Sequence, residues 1–175
     1  AVGDWNGDAR PDIAYTTDDK KLVLRRQDAQ GGWNDKTEFV LEAGEQMMKI
    51  LKGAYSCICL VKGVGLVAFR DPHGIRPLSI GRREGLDGSG PEWAIASEDC
   101  AFGPICYERV RDVQPGEMVI ITEEGQLVSK QCVAGALNPC IFEYIYLSRP
   151  DSVQNDISVY NFQLGLGTRL ARKIK

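Results

Sequence analysis

The sequence contains no pair of cysteines at the two-residue spacing of a structural zinc site, and six cysteines in 175 residues are too few for a disulfide scaffold. Its longest apolar runs, such as residues 64–69, are too short to span a bilayer. It has no basic excess, since the net charge is −3, and this disfavours nucleic acid as a partner. No basic and apolar leader follows Ala1, so we expect no signal peptide. These absences favour a globular protein with reduced thiols and no membrane partner.

The charges that are present divide the chain unevenly. Residues 1–44 contain six basic and nine acidic residues, whereas the two signs balance in the remainder. All six cysteines and the single histidine, His73, also follow residue 44. We therefore predict two parts, 1–44 and 45–175, with a junction between Glu38 and Gln46.

Short apolar segments separated by turn residues predict a chain of antiparallel strands. Helical periodicity is limited to a short amphipathic helix at 45–51, one turn at 98–102 and a longer helix at 156–173. The result is an α+β fold dominated by antiparallel sheet, with an N-terminal β-hairpin. The predicted strands are 12–16, 22–26, 37–41, 54–61, 64–70, 77–82, 93–97, 109–113, 117–122, 126–132 and 140–147.

An acidic motif near the N-terminus has the spacing of a cation-binding loop. Asp4, Asn6, Asp8 and Asp12 place side-chain oxygens at relative positions 1, 3, 5 and 9, and Arg10 can add its carbonyl. Calcium prefers about six to eight such oxygen ligands. The alternative is a turn rich in Asp and Asn that joins two strands and holds no metal.

Residues 2–41, which contain this motif, resemble one FG-GAP/VCBS repeat, the blade unit of integrin-type β-propellers. The resemblance implies a Ca²⁺ ion at residues 4–12 and, for the chain, an adhesion or binding module. Ala9 stands where the typical loop has glycine. Only one copy is present, and a single blade cannot bury a core of its own. Such repeats are more often extracellular.

Several strings after residue 45 occur together in a fixed order. They are KGAYSC at 52–57, RDPHGIRPL at 70–78, ASE at 96–98, DVQPGE at 112–117 and CIFEYIYLSRPDS at 140–152. In this order and spacing they resemble the amidophosphoribosyltransferase family, over residues 46–175. The RDPHGIRPL and ASE strings are shared with other glutaminases of the N-terminal-nucleophile class, whereas the last string is specific to this family.

The resemblance implies the second half of a class II glutamine amidotransferase domain, whose fold is a four-layer αββα sandwich of antiparallel sheets. The family converts glutamine and phosphoribosylpyrophosphate to phosphoribosylamine in the cytoplasm, as the first step of purine synthesis. Its nucleophile is an N-terminal cysteine, and the methyl group of Ala1 cannot replace it. The family's Mg²⁺ binds in the phosphoribosyltransferase domain. We therefore expect no catalytic and no cofactor-binding residue here, and no activity.

The shared motifs contain polar residues to which we assign structural roles. We expect Arg70, Asp71, Arg76 and Glu98 to pair across strands, His73 to lie on a surface turn, and Cys57 and Cys59 to be buried thiols. Strands that lack the neighbouring strands of the first half of the domain have unpaired edges. We therefore expect the chain to self-associate or, alternatively, to dock on an intact enzyme by offering half a sheet. The structural family residues are Arg70, Asp71, Gly74, Arg76, Pro77, Ser97 and Glu98.

Overall fold

A computed structural model describes residues 2–3, 12–16, 22–26, 36–86, 88 and 90–174, with side chains at 37 and from 39 onward. The first part is a small antiparallel sheet in the order β1-β2-β3. Its strands are β1 (Val2–Gly3), β2 (Asp12–Thr16) and β3 (Leu22–Arg26). The two predicted strands at 12–16 and 22–26 are therefore confirmed with their bounds.

Helix α1 spans Lys36–Ile50 and replaces two predicted elements. The predicted strand at 37–41 is wrong, and the predicted helix at 45–51 is the second half of a longer one. Val40, Leu41, Met47 and Met48 recur at helical spacing and pack into one apolar cluster on the neighbouring sheet. The helix runs across the junction expected between Glu38 and Gln46, and the division into two parts remains a prediction.

Seven further strands form two antiparallel sheets, one ordered β10-β9-β5-β4 and one ordered β7-β6-β8. All seven confirm predicted strands to within two residues at each end. They are β4 (Ser56–Val61), β5 (Gly65–Arg70), β6 (Ser79–Glu84), β7 (Pro91–Ala96), β8 (Glu108–Asp112), β9 (Glu117–Thr122) and β10 (Leu127–Gln131).

Strands β5 and β9 form the centre of the core because both of their faces are covered. Phe69 and Met118 face α1, whereas Ala68 and Val119 face the second sheet and meet Ile80 there. Successive side chains of each strand point to opposite faces, so both strands contribute to two apolar clusters. The layers are helix, sheet and sheet, which agrees with the antiparallel α+β fold expected. The second helical layer of an αββα sandwich has no counterpart among the described residues.

The remaining segments are short and irregular until a final helix. Residues 98–102 form a 3₁₀ turn at Asp99–Ala101, and a second such turn follows at Gly103–Ile105. The predicted strand at 140–147 is wrong, because Glu143–Leu147 is a π-helical turn. A short continuous apolar run does not distinguish strand from helix, which explains the error. No helix in the described part of the chain has the length and apolar character needed to cross a membrane.

Helix α2 spans Val159–Lys173, which confirms the predicted C-terminal helix with a later start. A tight hairpin of β11 (Val153–Gln154) and β12 (Ile157–Ser158) occupies the residues before it. Asn155 and Asp156 form its turn, both with positive φ. The Ser158 side chain then accepts a hydrogen bond from the Asn161 backbone N–H and caps the helix.

Candidate functional site

Arg70, the last residue of β5, is the centre of the shared motif and is only 2% exposed. Its Nε donates to the carbonyl of Arg76 at 2.7 Å, and Nη1 donates to the carbonyl of Val113 at 2.8 Å. Its Nη2 donates to the carbonyl of Gly74 at 2.9 Å. Burial lowers the pKa of Arg70 below its ordinary value, and the nearby carboxylates of Asp112 and Asp71 oppose this. The guanidinium thus joins two loops, the one after β5 and the one after β8, through their backbone carbonyls.

Asp71 shapes the loop that follows. Its carboxylate accepts hydrogen bonds from the backbone N–H groups of His73, Ile75 and Arg76, at 2.9, 3.1 and 3.2 Å. Gly74 has a φ of +57°, and a Cβ there would lie 2.8 Å from Cγ of Pro115, so only glycine fits. His73 is exposed at the tip, as expected for a surface turn.

Arg76 and Glu98 fasten this region to the segment after β10. Arg76 Nη1 lies 2.5 Å from Oε1 of the buried Glu143, in the π-helical turn. Glu98 Oε2 accepts hydrogen bonds from the Ser152 hydroxyl at 2.6 Å and from the Arg149 backbone N–H at 2.8 Å.

The structure therefore corrects the expected ion pairs among Arg70, Asp71, Arg76 and Glu98. These side chains do pin neighbouring loops, but their main partners are backbone groups, Glu143 and Ser152. A sequence pattern identifies polar residues, but it does not show which groups face them. Of the other motif residues, Pro77 is buried and Ser97 is exposed at the end of β7.

Asn155 is a further member of this site that the sequence reasoning missed. Its backbone N–H donates to Asp112 Oδ2 at 2.6 Å, and its side-chain Nδ2 donates to the hydroxyl of Tyr144 at 2.8 Å. Its Oδ1 accepts from Arg70 Nη2 at 3.2 Å. With a φ of +49° it occupies the left-handed region, which asparagine tolerates better than most residues. The Asn155-Asp156 pair was the available signal, because this dipeptide is typical of turns.

A cavity of about 330 Å³ lies beside this network. Arg109 and Arg111 line it together with Arg70, but both are already paired. Arg109 contacts Asp112 and Asp156 at 3.2 Å each, and Arg111 contacts Glu117 at 2.6 Å. Burial alone would raise the pKa of Glu117, but hydrogen bonds from Arg111, Ser129 and the Gln114 N–H together lower it. Arg109 and Arg111 are thus each paired with a carboxylate, whereas the buried Nε of Arg109 has no hydrogen-bond partner among the described residues.

The two cysteines of β4 differ from the expectation of two buried thiols. Cys57 is half-buried and packs on the core cluster, whereas Cys59 is exposed. Burial raises the pKa of the Cys57 thiol, so it is protonated at neutral pH and is a poor nucleophile. Cys57 therefore acts as a small core residue, and the buried assignment of Cys59 is wrong.

The expected calcium ligands cannot be placed. Asp4, Asn6 and Asp8 lie outside the described residues, and of Asp12 only the backbone, in β2, is described. Within the described ranges no three His, Cys, Asp or Glu side chains group as metal ligands. The calcium loop therefore stays a prediction.

Comparison with known proteins shows where these motifs recur. The chain is 47% identical over 127 residues to "Amidophosphoribosyltransferase" from Escherichia coli, a match that covers 72% of this chain and 25% of that protein. The yeast Saccharomyces cerevisiae protein of the same name is 39% identical over 167 residues, covering 91% of this chain and 32% of its own length. The chain is homologous to one segment of the amidophosphoribosyltransferases. It spans about a quarter to a third of the length of these relatives.

Solved structures agree with this homology. The "allosteric regulatory enzyme of purine biosynthesis" superposes with a TM-score of 0.67 at 27% identity, covering 92% of this chain and 39% of that one. Glutamine phosphoribosylpyrophosphate amidotransferase from B. subtilis gives a TM-score of 0.60 at 28% identity, covering 84% of this chain and 37% of that one. The expected N-terminal-nucleophile amidotransferase fold is therefore confirmed.

No protein-family model matches the chain, and the FG-GAP/VCBS resemblance of residues 2–41 gains no support. The Synechocystis amidophosphoribosyltransferase, 38% identical, aligns with 93% of this chain. A match of that extent reaches well into the first 44 residues. The amidophosphoribosyltransferase homology thus includes part of the segment that resembles a propeller repeat.

Proposed function

We propose that this chain supplies the second half of the glutaminase domain in an amidophosphoribosyltransferase, where it acts as a scaffold. The observation that carries the proposal is the 47% identity over 127 residues with the E. coli protein. The motif side chains support a scaffold role, because Arg70, Asp71 and Glu98 direct their hydrogen bonds to loops of this chain.

The reaction proposed for the longer protein is transfer of the amide nitrogen of glutamine to phosphoribosylpyrophosphate, which yields phosphoribosylamine for purine synthesis. Both substrates belong to this proposal, and so does a cytoplasmic location. The B. subtilis protein is named glutamine phosphoribosylpyrophosphate amidotransferase, and this name supports glutamine and phosphoribosylpyrophosphate as the two substrates. A Mg²⁺ ion belongs to the same proposal and would bind outside the segment matched here.

The contribution of the described residues to this reaction is positional. Arg70 and Asn155 tie the end of β5 to the π-helical turn through Tyr144, and Arg76 ties the same loop to Glu143. The turn is thereby fixed relative to the two sheets. A rigid element of this kind can orient groups that other parts of the enzyme supply.

A chimera tests the proposal. The segment of the E. coli enzyme that matches this chain is replaced by the corresponding residues of this chain, and the same exchange with the Pasteurella multocida relative, 46% identical to this chain, is the control. We expect both chimeras to form phosphoribosylamine from glutamine within about tenfold of the parent rate, since the two segments fill the same place in the fold. A folded but inactive chimera beside an active control would overturn the proposal.

The isolated chain provides the second half of the test. If the chain acts only as a scaffold, it should by itself release ammonia from glutamine no faster than a buffer blank. Ammonia release well above the blank, at a rate that follows protein concentration, would contradict the scaffold assignment.

A further inference from the structure

We propose that Tyr144 is a positioning residue for the nitrogen transfer, because its buried hydroxyl fixes the orientation of helix α2 relative to the loop after β5. The inference rests on the proposed function and adds to it a residue that sets the geometry of the transfer. Tyr144 is 3% exposed and lies in the π-helical turn. Short π-helical turns often occur at functional sites.

Helix α2 is bonded to the preceding loop through its first turn. The backbone N–H groups of Val159 and Tyr160 donate to the carbonyls of that loop at 3.0 Å each. Val159 is buried, whereas Leu170 near the other end of the helix is 60% exposed. Bonds at one end of a helix fix a pivot, so the direction of α2 depends on contacts farther along it.

Tyr144 makes those contacts one turn farther along the helix. The centroid of its ring lies 5.2 Å from that of Phe162, at an interplanar angle of 43°. Its backbone carbonyl accepts a hydrogen bond from Gln163 Nε2 at 3.1 Å. The direction of α2 therefore depends on where Tyr144 is held.

The hydroxyl at the far end of the ring holds Tyr144 in place. It accepts a hydrogen bond from Asn155 Nδ2 at 2.8 Å and donates to the Gln154 carbonyl at 3.4 Å. Asn155 is itself fixed, because its Oδ1 accepts from Arg70 Nη2 at 3.2 Å and its N–H donates to Asp112 Oδ2 at 2.6 Å. The hydroxyl thus connects α2 to the buried residues of the motif.

The direction of α2 matters because the proposed reaction joins two centres. One water converts glutamine to glutamate and ammonia, and the ammonia then displaces pyrophosphate from phosphoribosylpyrophosphate to give phosphoribosylamine. If the two centres are misplaced, ammonia is lost to solvent before the second step. The family resemblance places the transferase domain after residue 175, so α2 leads towards it. A hydroxyl that orients α2 therefore helps to place one centre relative to the other.

Tyr144→Phe in the chimera with the E. coli enzyme tests the inference. The readout is phosphoribosylamine formed per glutamate released, a ratio that does not depend on the folded fraction of the enzyme. We expect this ratio to fall at least about threefold, with the KM for glutamine within about twofold of the unsubstituted chimera, because one buried hydrogen-bonding group is removed. Tyr107→Phe is the matched control and should leave the ratio unchanged, since its hydroxyl bonds to Glu92 Oε2 at 3.0 Å, outside this network.

A second substitution tests the path through Asn155. Asn155→Gly removes the side-chain amide and supplies a residue that readily adopts the φ of +49°. We expect it to lower the ratio as well, and Tyr144→Phe to add nothing to it, since both changes remove the same hydrogen bond. Additive losses would show that Tyr144 does not act through Asn155.

Hydrogen exchange of this chain by itself tests the contact with α2 without relying on the proposed function. We expect the backbone amides of α2 to exchange at least about threefold faster in Tyr144→Phe than in the parent chain or in Tyr107→Phe. An unsubstituted chimera that forms no phosphoribosylamine would refute the proposed function. Exchange would still decide whether the Tyr144 hydroxyl holds α2, and equal rates in the three chains would show that it does not.

Three kinetic results would overturn the role of Tyr144 in transfer. One is a ratio in Tyr144→Phe equal to that of the unsubstituted chimera, and another is an equal fall in Tyr107→Phe. The third is a raised KM for glutamine with an unchanged ratio, which would assign Tyr144 to the binding of glutamine.

Discussion

The loop after β5 and helix α2 differ in where they keep their polar and apolar side chains. Arg70 at the end of β5 and Asp71 in the loop are charged but buried, whereas α2 exposes Tyr160, Leu164 and Leu170. In the loop every buried donor of Arg70 has an acceptor in this chain. In α2 only Val159 is buried. Residue type alone therefore does not decide burial. A charged side chain is buried where the chain supplies hydrogen-bond partners for it, and an apolar one stays exposed where no other segment packs on it.

The difference also concerns stability. Arg70 and Asp71 make their hydrogen bonds from buried positions, where leaving one group unsatisfied costs about 1–3 kcal/mol. Helix α2 is held mainly at its first half, where Phe162 packs on the ring of Tyr144 and Gln163 Nε2 donates to the Tyr144 carbonyl. We therefore expect α2 to unfold locally at a lower cost than the loop.

The largest effect on stability is expected for a substitution of Arg70, and it tests whether buried polar contacts distinguish the two regions. Arg70→Leu fills the space but leaves the carbonyls of Arg76, Val113 and Gly74 without their donor, so we expect a loss of about 3–5 kcal/mol in the free energy of unfolding. Urea unfolding followed by circular dichroism measures it. Arg149→Ala is the control, because that exposed arginine pairs with Asp151 at the surface and should cost less than about 1 kcal/mol. Equal losses in the two variants would show that burial of Arg70 has no special role.

A smaller difference in stability is expected between alanine substitutions of a leucine between the two sheets and of a leucine on α2. Leu78 lies between the sheets and is 1% exposed. Leu78→Ala should lower the free energy of unfolding by about 2–4 kcal/mol, because the removed atoms leave a cavity. The same change at Leu170 on α2 should stay within about 0.5 kcal/mol. Thermal unfolding of both variants checks this. A large loss for Leu170→Ala would show that α2 is packed in solution.

The smallest effect concerns the contact of α1 with β10. Hydrogen bonds from Lys49 and Lys130 lower the pKa of Glu45 from 4.5 to about 2. Because the folded-state pKa is lower than the unfolded one, the ionised Glu45 stabilises the fold above pH 4.5, and this stabilisation is lost as the pH falls from 4.5 towards 2. The melting temperature of Glu45→Gln should therefore fall less than that of the parent chain in this window. Identical profiles would argue against the contact.

Strands were predictable from the sequence where apolar alternation met clear turn residues. Strand β9 was predicted with its bounds at Glu117–Thr122, because turns containing Gly116 and Gly125 enclose it. The π-helical turn at Glu143–Leu147 was not, since its apolar run lacks any period that separates strand from helix. The first half of α1 was missed for a similar reason, because five residues are too few to show a helical repeat.

The candidate site was predictable as a set of residues but not as a set of contacts. Arg70 and Asp71 stand out in the sequence as charged residues in a turn-rich string. Their acceptors and donors are mostly backbone groups, and backbone groups leave no signature in a sequence. Asn155 joins the site from 85 residues away in the chain. Such a contact depends on how the hairpin of β11 and β12 packs.

By itself the sequence determined the antiparallel α+β class, the turn chemistry around Gly74, and the likeness to amidophosphoribosyltransferases, because propensity, alternation and motif order are local properties. Only the tertiary structure decided that Arg70 binds carbonyls, that Asn155 links Asp112 to Tyr144, and that Arg76 pairs with Glu143. Those facts depend on which segments meet in space, and burial together with hydrogen-bond satisfaction across distant segments settles that.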